Sequence, residues 1–357
     1  MLKSRRIKLL GVIMAMSLTL VACNNATKEN TETPAQNEAQ TEVQEQKNSY
    51  IYTANEGGSI SKIDITTNKV IQTFKDEGTP HNVQVSPDGK VFAYTTSAKM
   101  EKGETEHSTG DTNGFAVFYN VETGEQIKKV GVGKHPAHIV YTENGKYVVV
   151  TNNEDNNISI IDAATYTLIN NVSVGKGPHG FRISPDSKNA YIANMGEDTV
   201  SVVDIENNKE LKKIKVGSTP VTTAPTKDGK TLVVTINGEN SVAIIDLSTD
   251  KVEKVPVGVG PAQVYLSIDN KYALVANQGT EENPSNTVSK IDLSTKEVVA
   301  TIETGKGAHG VVVSPDNKLI YVTNMFEATV SVIDNETNKV IATIPVDEIP
   351  NGISYKE

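Results

Sequence analysis

The 357-residue chain has one cysteine, Cys23, so no disulfide can form within it. Beyond residue 22 it has one arginine, Arg182, and three methionines, Met100, Met195 and Met325. Residues 1–22 carry four basic residues and no acidic one, so the remainder sets 34 − 4 = 30 basic residues against 44 acidic ones, a balance of −14. Nucleic-acid binding relies on a basic surface that displaces counterions, and so acidic a chain lacks one. Acidity favours cations or basic partners instead, and also serves simple solubility. The mostly apolar stretch 9–22 is too short for a membrane-spanning helix. Helical periodicity is missing throughout, which excludes architectures built on packed helices.

At the N-terminus, Lys3, Arg5, Arg6 and Lys8 precede that apolar stretch, the layout of a secretory signal. Leu20-Val21-Ala22-Cys23 resembles a bacterial lipobox, and the resemblance implies that Cys23 is lipidated and becomes the mature N-terminus. Residues 24–48 are dominated by Asn, Thr, Glu and Gln and cannot bury enough apolar surface to offset their ordering entropy. They are expected to form a disordered tether, holding the next domain roughly 25–30 Å from the anchor. The expected organisation is a signal over 1–22, a lipidated cysteine and tether over 23–48, and a folded domain over 49–357. The protein is then held by its lipid on the outer face of the bacterial cytoplasmic membrane or at the cell surface.

From residue 49 the chain repeats. The unit reads "PHGVVVSPDNK", "LIYVTN", "TVSVIDNETNK" and "VIATIPV", followed by a Gly/Pro-rich link. Its second element recurs at 50–55, 91–96, 147–152, 189–194, 231–236, 272–277 and 319–324, seven times in all. Asp or Asn closes the third element in every copy: Asp64, Asn120, Asp162, Asp204, Asp246, Asp292 and Asp334. The runs are short, rich in Val, Ile, Thr and Tyr, and bounded by turn clusters, so each is a strand. Four strands per roughly 44-residue repeat predict an all-β, seven-bladed propeller. The chain enters on the second strand of a blade and ends on "PNGISYKE", which aligns with the first strand of the others. Residues 350–357 are therefore expected to close the ring by joining the N-terminal blade.

Tyr321-Val322-Thr323-Asn324, followed by Thr329 to Asp334, resembles the YVTN repeat of bacterial and archaeal surface β-propellers. The resemblance covers essentially all of residues 49–357 and implies the fold. Propellers of this kind serve as binding scaffolds, as lactonases and as halves of redox enzymes, so it leaves function open.

Numbering blades by their first strands, His81, His179 and His309 sit near the start of the first strand in blades 1, 3 and 6, His138 lies one residue further along its strand in blade 2, and Asn351 takes the equivalent place in blade 7. Blades 4 and 5 carry Val221 and Ala262 there. Residues 179 and 195 are equidistant from Ser187, and 309 and 325 from Asn317. A turn centred on those residues makes His179–Met195 and His309–Met325 direct cross-strand pairs. Met100 forms a looser partner for His81, displaced by an insertion in blade 1 that also brings His107 and several acids to the same face. Further acids, among them Glu56, Glu154, Asp155, Glu197, Asp198, Glu239 and Glu327, follow the second strands.

Thioether with imidazole suits copper, and mixed axial ligation suits haem as the alternative. Duplication alone would also copy such a pair from blade to blade, and methionine is a common gap filler. Arg182, on a first strand, either projects into the channel or pairs with an acid between blades, and the cost of a bare buried guanidinium favours the second. Ser-Pro-Asp is turn chemistry and no catalytic triad order stands out. The expectation is a lipid-anchored binding module rather than an enzyme, binding a protein or small ligand on its acidic face and no nucleic acid. A metal-dependent hydrolase of the propeller lactonase type and an adhesion scaffold without metal are the alternatives.

Overall fold

A computed structural model describes residues 49–97 and 113–356. The signal segment, Cys23, the tether, and Met100 and His107 of the blade 1 insertion lie outside the described residues. Within them, twenty-eight strands form seven four-stranded antiparallel sheets, each a blade of a closed ring. Closure follows the expected route. The last strand, Pro350–Lys356, pairs with Tyr50–Asn55 of the first, with Ile51 opposite Tyr355 and Thr53 opposite Ile353.

The strands differ in burial in a way their composition explains. A first strand such as Pro136–Tyr141 is buried at every position, whereas a fourth strand such as Lys209–Lys215 is mostly exposed. Its sequence, Lys-Glu-Leu-Lys-Lys-Ile-Lys, charges a free sheet edge that could otherwise pair with another chain. The closing Asp or Asn of each third strand starts a turn by accepting backbone N–H groups two and three residues on, as Asp64 does from Thr66 at 2.7 Å and Thr67 at 3.1 Å.

The core is divided into layers between adjacent blades. Val149, Ile158 and Ile160 of blade 2 pack with Phe181, Ile192 and Val203 of blade 3, and equivalent clusters join every other neighbouring pair. The layer between the N-terminal blade and blade 1 is aromatic: Tyr52 stacks on Phe92 at 4.6 Å between centroids, and Phe74 lies 5.0 Å from Phe92.

Two residues of the YVTN signature have structural duties. Its asparagine is a buried clamp: Asn324 Nδ2 donates to Thr329 Oγ1 and Ser331 Oγ, both at 2.9 Å, and Asn194 does the same with Thr199 and Ser201. Its threonine bridges blades. Thr151 Oγ1 accepts the His138 N–H at 2.9 Å and donates to the His179 carbonyl of the next blade at 2.7 Å. Thr235 repeats the bridge between Thr222 and Ala262 at 3.0 and 2.8 Å.

Candidate metal centre

Each first strand bulges directly after its opening residue. In blade 3, Pro178 pairs with Asn194 but Phe181 pairs with Ile192, so the two residues between them crowd into one step of the ladder. Blades 1, 2, 4, 5 and 6 bulge at the same place. The first of the two residues is His81, Ala137, His179, Val221, Ala262, His309 or Asn351, according to the blade. The second points sideways at the next blade's first strand. Where it is glycine, an added Cβ would strike that strand: Gly180 would meet Thr222 Oγ1 at 2.0 Å, Gly310 the Asn351 carbonyl at 2.5 Å, and Gly352 the Asn82 Cα at 2.7 Å. Larger residues at this position therefore reach the neighbour's first residue. Gln263 Nε2 lies 3.4 Å from His309 Nδ1, and the His138 ring lies 5.1 Å from that of His179.

This geometry brings three of the expected histidines together. His81, His138 and His179 each offer a ring nitrogen within 4.8 Å of the others. His81 Nε2 and His179 Nε2 face one another at 3.2 Å. Their Nδ1 atoms are engaged elsewhere, His81 with Glu56 Oε1 at 2.7 Å and His179 with the Val221 carbonyl at 3.4 Å. Both acceptors call for an N–H at Nδ1, which leaves the lone pairs at Nε2 turned toward each other. Such an arrangement is repulsive unless a cation sits between them.

A proton on His179 or His138 is a poor candidate for that cation; one on His81 would donate to Glu56 and to His179 and relieve that pair, but it leaves His138 without a partner. Burial, together with the neighbouring charges of His81 and His309, pushes the His179 pKa down to about 3. His138 is driven well below its ordinary value by burial, then by His179 and His81. His138 has no solvent exposure, and neither of its ring nitrogens has a hydrogen-bond partner. An orphaned, fully buried imidazole beside two convergent ones fits a metal ion as the missing partner. Metal–imidazole bonds of roughly 2.0–2.1 Å in a tetrahedron put nitrogens about 3.3 Å apart, close to the His81–His179 spacing. The Glu56–His81 contact matches the carboxylate–histidine support of metal ligands. Burial opposes the charge on Glu56, but hydrogen bonds from His81 and Asn351 and the nearby imidazoles outweigh it and hold the carboxyl below its ordinary value. Asn351 Nδ2 donates to Glu56 Oε1 at 2.7 Å, so the ring-closing strand anchors the same carboxylate.

The other sequence candidates lie apart. The bulge shifts the register by one residue, so His179–Met195 and His309–Met325 are not cross-strand pairs. Asn194 and Asn324 instead sit opposite Pro178 and Ala308, and the methionines begin the following turns. Met195 is exposed, and Met325 Sδ accepts from Gln278 at 3.4 Å. His309 is buried beside the Asn351 carbonyl at 3.3 Å, and burial followed by the His81 charge lowers its pKa to about 4. Arg182 corrects the expectation of an interblade ion pair. It lines the channel below the histidines, donating from Nη1 to the Phe181 carbonyl at 2.9 Å, and among the described residues no carboxylate lies within ion-pair distance. The acidic rim is also less free than its composition suggests. Glu197 pairs with Lys213, Asp198 with Lys215 and Glu239 with Lys254.

The family model described as YNCE-like beta-propeller matches residues 134–215 and 202–356. The chain belongs to that family. Two solved structures are similar to this YNCE-like propeller over most of its length. One is Kuenenia stuttgartiensis hydrazine synthase, with a TM-score of 0.67, 21% identity, and coverage of 77% of this chain and 89% of that one. The other is the dihydro-heme d1 dehydrogenase NirN in complex with DHE, with a TM-score of 0.63, 14% identity, and coverage of 86% and 74%. At these identities the likeness shows the propeller fold alone. Comparison with curated proteins gives no match.

Two partners of the YNCE-like propeller's histidines escape a reading by composition. Glu56 follows Asn55 as Met195 follows Asn194 and Met325 follows Asn324, so the repeat itself marks that position as facing the mouth. Gln263 stands in the second bulge position, as His138 does, and His138's offset of one residue was the available signal.

Proposed function

We propose that this protein is a lipid-anchored extracytoplasmic binding module whose channel mouth holds one transition-metal ion on His81, His138 and His179. The observation that carries this reading is the facing pair of Nε2 atoms, each fixed by an Nδ1 acceptor, next to an imidazole with no partner. Three imidazoles without a thioether suit Cu(II), Zn(II), Ni(II) or Fe(II), and the general affinity order puts Cu(II) first. Three protein ligands leave a fourth position for a small ligand or water, which a binding module uses for recognition and a hydrolase uses to activate water. His138 is fully enclosed, whereas the His81 side chain keeps 14% exposure, so the open position faces the mouth. The lipid on Cys23 and the outward location follow from the lipobox resemblance, and the rim is the surface offered to a partner.

Haem is the second reading, supported by the bound DHE named for NirN. Nitrogens 3.2 Å apart leave no room for a tetrapyrrole between His81 and His179, so haem would lie above the mouth on a single axial histidine. Elemental analysis and an absorption spectrum of protein purified from its own host separate the two. Near-stoichiometric copper or another transition metal without a Soret band supports the metal site. A Soret band supports haem, and neither metal nor haem contradicts both.

A further inference from the structure

Below the histidines the channel widens into a cavity of about 560 Å³ that opens at the opposite end from them. Its wall repeats once per blade. The fifth residue of the first strand contributes Gln84 (sixth in blade 1, whose strand starts one residue earlier), Arg182, Ala224, Tyr265, Val312 and Ser354, and blade 2 contributes Ile139 instead. Six of these seven side chains are neutral and none is acidic.

Arg182 is therefore one positive charge in an otherwise neutral ring, with apolar Ile139 on the preceding blade and Ala224 on the following one. Its backbone N–H is taken by Thr223 Oγ1 at 2.9 Å, and Nη1 donates to the carbonyl of the preceding residue. Burial pushes the guanidinium below its ordinary pKa, with Tyr265 and Glu143 acting in the opposite direction. Glu143 stands exposed at the rim and does not reach ion-pair distance. A guanidinium in such a place needs an anion, and the one carboxylate lining the cavity, Glu143, stays at its exposed rim without pairing with it.

We infer that this cavity is a binding site for a small organic monocarboxylate, with Arg182 taking the carboxylate by its paired N–H groups. The planar fork of arginine matches a carboxylate in a bidentate geometry. Arg182 is the one charge held inside the cavity, the exposed Lys227 and Glu143 offsetting each other at its rim, and a single negative charge balances it, which favours a monoanion over a phosphate dianion. Val312, Ile353 and Leu266 supply apolar wall for the ligand's body, and Tyr265 and Tyr355 supply aromatic surface. The volume suits a ligand of metabolite size. The site is independent of the metal reading, since it shares no residue with the three histidines.

The test is calorimetric titration of the full chain with benzoate and with inorganic phosphate, repeated on Arg182→Gln and in the presence of a metal chelator. Expected is one benzoate per chain, bound at least about tenfold more tightly than phosphate, weakened at least about tenfold by Arg182→Gln and unaffected by chelator. Arg182→Gln also removes an uncompensated charge, so its ligand-free unfolding temperature is expected at or above that of the parent. Absence of benzoate binding overturns the inference. So does equal binding by Arg182→Gln, phosphate binding as tight as benzoate, or a fall in the ligand-free unfolding temperature of Arg182→Gln.

Discussion

Replacing Thr151 by valine keeps the side chain's shape and removes one hydroxyl. That hydroxyl is fully buried, accepts the backbone N–H of His138 at 2.9 Å and donates to the backbone carbonyl of His179 at 2.7 Å. The variant leaves a buried donor and a buried acceptor without partners. At about 1–3 kcal/mol for each stranded group, the loss should be on the order of 3 kcal/mol. In a domain of this size that lowers the unfolding temperature by about 6 °C. Because the two stranded groups belong to the backbone of two site histidines, metal affinity should also fall, by about tenfold as for other supports of metal ligands.

Thr235→Val provides the control. It breaks the same bridge between Thr222 and Ala262, at 3.0 and 2.8 Å, where no histidine is involved. Thermal unfolding of the metal-free proteins should show similar losses for both variants, and metal titration should show weakening for Thr151→Val alone. Equal stability of Thr151→Val and the parent would refute the bridge. An equal loss of metal affinity in Thr235→Val would refute the link between this threonine and the site.

His309 has a folded pKa near 4 against an ordinary 6.5, so the unfolded chain binds its proton first as pH falls. Stability is then complete above about pH 6.5 and declines toward pH 4 by on the order of 3 kcal/mol, and His309→Asn should flatten that part of a urea-unfolding pH profile. Deleting residues 350–357 removes Ile353, 4% exposed, and the whole ladder to Tyr50–Asn55, so the unfolding temperature should drop by at least about 5 °C. An unchanged temperature would contradict closure of the ring by this strand. Met195→Leu and Met325→Leu should each alter metal affinity by less than about twofold in the same titration, since neither sulfur belongs to the three-imidazole cluster.

The architecture was readable because propeller repeats announce themselves in one dimension. Seven copies of the YVTN element, the Asp or Asn closing each third strand, and a C-terminal segment aligned with a first strand lead to the ring without any knowledge of contacts. The histidines were readable as a column at one end of those strands. Their partners were not. Counting outward from the Ser-Pro-Asp turn assumes an unbroken ladder, and the bulge after Pro178 or Ala308 adds a residue that no local composition reveals. That one residue moves Met195 and Met325 out of register and turns His138, which looked displaced, toward His179. Glu56 was visible as an acid following Asn55, but its role depends on ring closure, which brings Asn351 against it across 295 positions of sequence. Arg182 deceived for an energetic reason: a buried guanidinium ordinarily implies a paired acid, and here the acid lining the cavity, Glu143, stands at the rim beyond ion-pair distance.

The central claim is that three imidazoles at the channel mouth hold one metal ion. Titrating the metal-free full chain with Cu(II), alongside His179→Asn and His138→Gln variants checked for folding by circular dichroism, tests it most directly. The account predicts one tightly bound ion per chain in the parent, with nitrogen-rich ligation by electron paramagnetic resonance, and at least about tenfold weaker binding in each folded variant. Binding at the parent's strength in both folded variants, or no stoichiometric binding in the parent, would contradict it.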